Sequence, residues 1–137
     1  EVMAGTAVMQ NVQQRSAVAP VILVIDDDPP LRRMLSLTLR DGGFGVVPAA
    51  NGEHALELLD GDAPLPDAIV LDLEMPVMDG RAFFREMRDR GIDVPVLLVS
   101  AYGARSAQRQ LGAEASLDKP FNPDELVRRV RSLLRAA

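Results

Sequence analysis

Three aspartates in succession, Asp26, Asp27 and Asp28, follow the apolar run Val21 to Ile25, and a fourth, Asp72, follows the run Ala68 to Leu71. Ser100 follows the run Pro95 to Val99, and Lys119 comes soon after a short one, Ala115 to Leu117. If these runs are neighbouring strands, all six side chains meet at one rim. Carboxylates gathered that closely repel one another, so keeping them ionised requires a cation or a rise in some of their pKa values. A small set of oxygen ligands suits Mg²⁺, which retains several waters and is often completed by a phosphate. Ser100 would donate a hydrogen bond to a phosphoryl group there, and Lys119 would neutralise its remaining charge. Asp72, alone at the end of its run, is the candidate nucleophile, since carboxylates accept phosphoryl groups as acyl phosphates.

The elements that must position these residues alternate between two periods. Val21 to Ile25 is continuous and β-branched, as strands buried on both faces of a parallel sheet are. Asp28 reads as an N-cap before Pro29 and Pro30, which open a helix placing Leu31, Met34, Leu35 and Thr38 on one face, and Gly42-Gly43 ends it. Phe44 to Pro48 is a second strand, followed by a helix with Ala55, Leu58 and Leu59 inward that ends near Gly61. Strand three is Ala68 to Leu71, helix three runs from Gly80 to about Arg90 through Phe83, Phe84 and Met87, and strand four is Pro95 to Val99. A short helix over about 104–111, a fifth strand at Ala115 to Leu117 and a last helix capped by Asn122 complete the pattern, with Pro123 at its first position and Glu125 placed for a capping box. Leu126, Val127, Val130, Leu133 and Leu134 line the inner face of that helix. Five buried strands alternating with five helices predict a doubly wound α/β domain, with right-handed crossovers and ligands bound outside the carboxyl ends of the strands.

Composition narrows the function. A chain of 137 residues with 47% hydrophobic and 26% charged residues suits one domain, and 4% aromatics make its core aliphatic. The net charge of −5 argues against direct nucleic-acid binding, which needs a basic face. Arg128, Arg129, Arg131 and Arg135 are basic but read as the solvated face of a helix. No cysteine is present, so there is neither a disulfide framework nor a thiolate zinc site, in keeping with a reducing, cytoplasmic setting. No apolar run is long enough to span a bilayer, which predicts no membrane partner. Residues 1 to about 20 read as a linker or tail, with at most a short helix through Val8, Met9 and Val12, and residues 21–135 as the domain. The chain opens at Glu1 rather than Met, as a processed product or a fragment of a longer protein would.

Four blocks carry a resemblance: Val21 to Asp28, Ile69 to Gly80 (which includes Met75-Pro76 and Asp79-Gly80), Val96 to Ala101, and Asp118-Lys119-Pro120-Phe121. In this order they resemble the signature blocks of response-regulator receiver domains, and the resemblance covers roughly Val21 to Arg135. It implies the flavodoxin-like fold with strand order 2-1-3-4-5, and a phosphoacceptor signalling domain rather than an enzyme with turnover. Asp72 is similar to the phosphorylated aspartate, Asp27 to the direct Mg²⁺ ligand and Asp26 to the ligand acting through water. Glu74 matches the position whose backbone carbonyl completes the metal shell, Ser100 the hydroxyl position and Lys119 the phosphate-contacting lysine, with a cis Lys119-Pro120 bond. The implied partner is a histidine kinase or phosphotransfer protein, with an upstream kinase domain in the same chain and a homodimer as further expectations.

Each residue also has a structural reading. Asp28 alone is a helix cap, Ser100 alone a structural serine, Lys119 alone a surface lysine, and their weight comes from the constellation. His54 reads as a surface residue, so a donor histidine lies elsewhere. Two other functions compete: a Mg²⁺-dependent phosphohydrolase of the haloacid-dehalogenase type, which would need an aspartate where Glu74 stands, and a flavodoxin-like FMN-binding module, whose phosphate three aspartates would repel. The sequence also departs from the family. Ser116 holds the position where receivers carry Tyr or Phe, and Ser100 to Lys119 is about three residues shorter than usual, close to one helical turn. The fourth helix should therefore be short or irregular, and no ring should carry a signal across the face of helix four, strand five and helix five, Tyr102 being the only nearby substitute. Large amide-shift changes through residues 104 to 118 on adding beryllofluoride would contradict this.

Overall fold

The computed structural model describes residues 18–76 and 78–136, so the expected short helix through Val8, Met9 and Val12 lies outside the described residues. Five strands, β1 (Val21–Ile25), β2 (Gly45–Ala49), β3 (Ala68–Asp72), β4 (Val96–Ser100) and β5 (Ala115–Asp118), alternate with five helices. These are α1 (Pro29–Asp41), α2 (Gly52–Asp60), α3 (Gly80–Asp89), α4 (Ala104–Leu111) and α5 (Pro123–Ala136). All strand pairs are parallel, in the order β2-β1-β3-β4-β5. This is the doubly wound, flavodoxin-like arrangement expected, and its order reverses between β1 and β3, where the acidic residues lie.

Successive side chains of a strand face opposite sides, and each side is covered by helices. Ile22 and Val24 pack with Leu35 and Leu39 of α1 and with Leu126, Val130 and Leu133 of α5. Leu23 and Ile25 pack on the other side with Ala55, Leu56 and Leu59 of α2, and with Phe83, Phe84 and Met87 of α3. Burial on both faces explains why β1, β3 and β4 read as unbroken apolar runs, whereas β2, expected to be buried too, lies at the sheet edge with Val47 and Pro48 exposed. β2 is an edge strand, which lets it hold Pro48 without breaking the sheet.

Helix faces differ in detail from the sequence reading. Leu35 and Leu39 are buried on α1 with Ser36, while Met34 is exposed, and on α2 Leu56 is buried in place of the expected Leu58. The 3.6-residue period fixes the width of an apolar stripe, but the docking angle on the sheet decides which edge of it is covered. Asp28 stands at the N-cap of α1 with no side-chain cap hydrogen bond. Asn122 accepts from the Asp124 N–H at 2.8 Å, whereas Glu125 turns along α5 to Arg129 at 3.4 Å rather than closing a capping box.

The fourth helix is short, with eight residues between Gly103 and Gly112. Both glycines are left-handed, at φ +69° and +77°, a conformation that lets the chain turn sharply on either side of the helix. Among the described residues, no helix is long and apolar enough to cross a membrane.

Candidate functional site

The rim is built from the carboxyl ends of β1, β3, β4 and β5 and the loops that leave them. Asp26 is fully buried and Asp72 is 3% exposed, while Asp27 is half-buried and Asp28 exposed. One carboxylate oxygen from each of Asp26, Asp27 and Asp72 lies within 4.8 Å of the others. Asp26 Oδ1 accepts the Asp28 N–H at 2.9 Å, but its Oδ2 is buried without a hydrogen-bond partner. An orphaned anionic oxygen of this kind is costly unless a cation meets it.

Lys119 supplies positive charge from the opposite side. Its Nζ donates to Asp72 Oδ1 at 3.1 Å, and the Glu74 N–H reaches the same oxygen at 3.1 Å. The Lys119 N–H donates to the Ser100 carbonyl at 2.9 Å, tying the end of β5 to β4, and the Lys119-Pro120 bond is cis, as expected. Arg32 of α1 donates to the Asp26 carbonyl at 2.8 Å, a contact that carboxylate spacing alone does not reveal.

Sequence reasoning missed the side chain of Glu74, which was expected to contribute only its backbone carbonyl. Its carboxylate crosses to β4, accepting the Ser100 hydroxyl at 2.6 Å and the Ala101 N–H at 2.8 Å. Ser100 is thus engaged by a carboxylate, and its Oγ also lies 2.8 Å from the Tyr102 carbonyl. The available signal was the chemistry of position 74: an acid two residues beyond Asp72, opposite a serine that ends the neighbouring strand.

His54 is exposed, and its Nδ1 accepts the Ala50 N–H at 3.3 Å, a role at the start of α2. The arginines of α5 are exposed, and two of them also make contacts within the fold: Arg131 with the Gly42 carbonyl and Arg129 with the Ser116 carbonyl. Ser116 is buried, and its hydroxyl donates to the Gln108 side-chain oxygen at 2.7 Å, so a polar tie joins α4, β5 and α5 at the position where the resemblance implies a ring. The Tyr102 ring is 85% exposed.

Burial pushes the Asp26 carboxyl up to about 6, with the nearby Asp72 and Asp27 adding to the rise and the Asp28 N–H and Lys119 opposing it. Burial also raises Asp72, against its hydrogen bond to Lys119. The folded value for Asp26 lies above the unfolded one, so the folded state holds the proton more tightly. The metal-free domain should then lose stability as pH climbs from about 4 through 6, by up to roughly 2–3 kcal/mol. In Asp26→Asn, which keeps an acceptor for the Asp28 N–H, the Asp26 share of that loss should disappear, leaving only what the raised Asp72 carboxyl contributes. Urea midpoints in EDTA at pH 4.5 and 7 measure it, and equal pH slopes for wild type and variant would refute the assignment to Asp26.

Comparison with known proteins agrees with the fold. The family model described as response regulator receiver domain matches residues 22–131, and the chain belongs to that family. It is 42% identical over 117 residues to the response regulator MprA of Mycolicibacterium vanbaalenii, covering 83% of this chain and 50% of that one. It is 40% identical over 124 residues to the alkaline phosphatase synthesis transcriptional regulatory protein SphR of Synechococcus elongatus, covering 83% and 48%. The chain therefore spans about half the length of these relatives. The solved receiver domain of the Francisella response regulator 1452 superposes with a TM-score of 0.77 at 30% identity, over 85% of this chain and 98% of that one.

Proposed function

We propose that the domain accepts a phosphoryl group onto Asp72 from a histidine kinase or phosphotransfer protein, in a Mg²⁺-dependent reaction that serves signal transduction or phosphorelay. The observation that carries this reading is the position of the Asp72 carboxylate, with Lys119 Nζ 3.1 Å from one oxygen and the Asp26 and Asp27 carboxylates within reach of the metal-sized space beside it. A carboxylate held only to serve the fold would not be placed between an ammonium and two further carboxylates, one of which has an unpaired buried oxygen.

The residues fit a hard divalent ion, because all donors are oxygens and the surplus negative charge has no protein counterpart. Asp27 and Asp72 would hold it directly, with the Glu74 backbone carbonyl, and Asp26 through water. Bound there, Mg²⁺ would offset charge on the phosphoryl oxygens and on the attacking carboxylate. Asp72 attacks phosphorus as the donor's phosphorus–nitrogen bond breaks, so a phosphorus–oxygen bond forms and the freed imidazole takes up a proton. Lys119 offsets charge on the transferred group, and Ser100 and the Ala101 N–H can donate to its oxygens.

The alternatives gain no support from the family match. A phosphohydrolase of the haloacid-dehalogenase type would need an aspartate where Glu74 stands. The domain is read as cytoplasmic, with its donor on a separate protein or on a kinase domain of the same polypeptide. Association of two copies is a further expectation, and direct contact with nucleic acid or membrane is not part of the reading. The test is phosphoryl uptake from acetyl phosphate with and without Mg²⁺, read by intact mass. One labile, Mg²⁺-dependent adduct is expected, and its absence, or steady hydrolysis of small phosphate esters, overturns the reading.

A further inference from the structure

An anion already occupies the Ser100 and Ala101 donors that the proposed reaction assigns to the phosphoryl oxygens. Glu74 Oε2 accepts the Ser100 hydroxyl at 2.6 Å, Oε1 accepts the Ala101 N–H at 2.8 Å, and Oε1 stands 4.0 Å from Lys119 Nζ. The same ammonium is 3.1 Å from Asp72 Oδ1, so the cradle that receives Glu74 adjoins the carboxylate proposed to carry the phosphoryl group. A hydroxyl, a backbone N–H and an ammonium converging on one point form an anion subsite. The Ala101 N–H and the Ser100 hydroxyl each have a single proton to donate, so neither can fully serve two anions at once.

Glu74 is also free to leave. Its side chain is 44% exposed and lies at the rim, so turning it into water leaves no charge stranded in the interior. The contact with Lys119 is long and shared with Asp72, which leaves the two bonds from Ser100 and Ala101 as the main hold on the carboxylate.

We propose that the Glu74 carboxylate is a built-in placeholder for the phosphoryl group, occupying the Ser100 and Ala101 donors in the unphosphorylated domain and displaced when Asp72 is modified. The inference rests on the phosphoacceptor reading and adds a regulatory element to it. Phosphorylation then exchanges one anion for another at the β4–α4 junction, instead of drawing Ser100 toward an empty site. The placeholder lowers the affinity of the site for the phosphoryl group and holds the junction in its engaged form beforehand.

The experiment compares wild type, Glu74→Gln and Glu74→Ala, with beryllofluoride as the probe at saturating Mg²⁺ and backbone amide spectra as the readout. Glu74→Ala should bind beryllofluoride about tenfold more tightly, equivalent to recovering one charge-assisted hydrogen bond. Glu74→Gln should fall between, because its amide oxygen still accepts from one donor without the charge. In the absence of the probe, the Ala101 amide proton should move upfield in Glu74→Ala, and adding the probe should shift it further in that variant than in wild type. If charge alone mattered, the two variants would bind alike and the Ala101 resonance of the free proteins would not move, which overturns the proposal. Equal affinities of all three proteins, with binding that still requires Asp72, overturn the placeholder only. Absence of Asp72-dependent binding throughout overturns the phosphoacceptor reading and the placeholder with it.

Discussion

Given acetyl phosphate and Mg²⁺, the Asp72→Asn variant is expected to gain no phosphoryl mass at all, while remaining folded. An amide oxygen is not a competent nucleophile for phosphorus, and the variant leaves no other buried carboxylate against Lys119. Asparagine keeps the volume and an oxygen that can accept from Lys119 Nζ and from the Glu74 N–H, so the local bonds persist. It also removes a carboxyl whose charged form is disfavoured by burial, so the metal-free variant should be at least as stable as wild type. Asp27→Ala is the companion: it should lose Mg²⁺ affinity and phosphorylation together while sparing metal-free stability, since it removes one of the clustered carboxylates. Intact mass, titration calorimetry with Mg²⁺ and urea unfolding read the three quantities. An adduct that persists in Asp72→Asn would remove Asp72 from its proposed role.

Gly80→Ala should be the most damaging single-methyl change near the rim. A Cβ at Gly80 would stand 2.6 Å from the Asp72 carbonyl oxygen and 2.7 Å from Leu73 Cα, both backbone atoms that cannot swing aside. It would also lie 2.9 Å from Leu73 Cδ2, and the Gly80 N–H donates to the Leu73 carbonyl at 3.2 Å, so α3 starts hard against the end of β3. Relieving the overlap requires moving either the helix start or the segment that carries Asp72. The expected cost is about 2–3 kcal/mol in urea unfolding, together with slower phosphoryl uptake from acetyl phosphate. Gly61→Ala serves as the control, since its Cβ would meet nothing nearer than 3.6 Å. Matching unfolding midpoints for the two variants would show that the approach at Gly80 is not tight.

Much of this protein is legible in the order of its residues. Burial of a parallel strand on both faces demands an unbroken apolar run, and the Asp, Ser or Lys that follows the runs of β1, β3, β4 and β5 must then lie at one rim of the sheet. The short α4 follows from the reduced spacing between Ser100 and Lys119, because chain length limits helix length directly. The four blocks likewise point to a receiver domain, and the family match agrees.

What the chain order does not convey is which atoms meet once the strand ends are brought together. Met34 and Leu58 satisfy the helical period and are nonetheless exposed, because packing against the sheet selects among apolar positions that periodicity treats alike. The unequal burial of Asp26, Asp27 and Asp28 arises from the same packing, and with it the raised carboxyl of Asp26. Glu74 and Ser100 are 26 residues apart, and Ser116 and Gln108 face each other across β5 and α4. Residue types and spacing therefore determined the fold class and the members of the rim, since hydrophobic burial acts on patterns along the chain. Only the tertiary structure decided the hydrogen-bond partners of those members, because a donor's choice of acceptor depends on distances and angles that packing sets to within a fraction of a bond length.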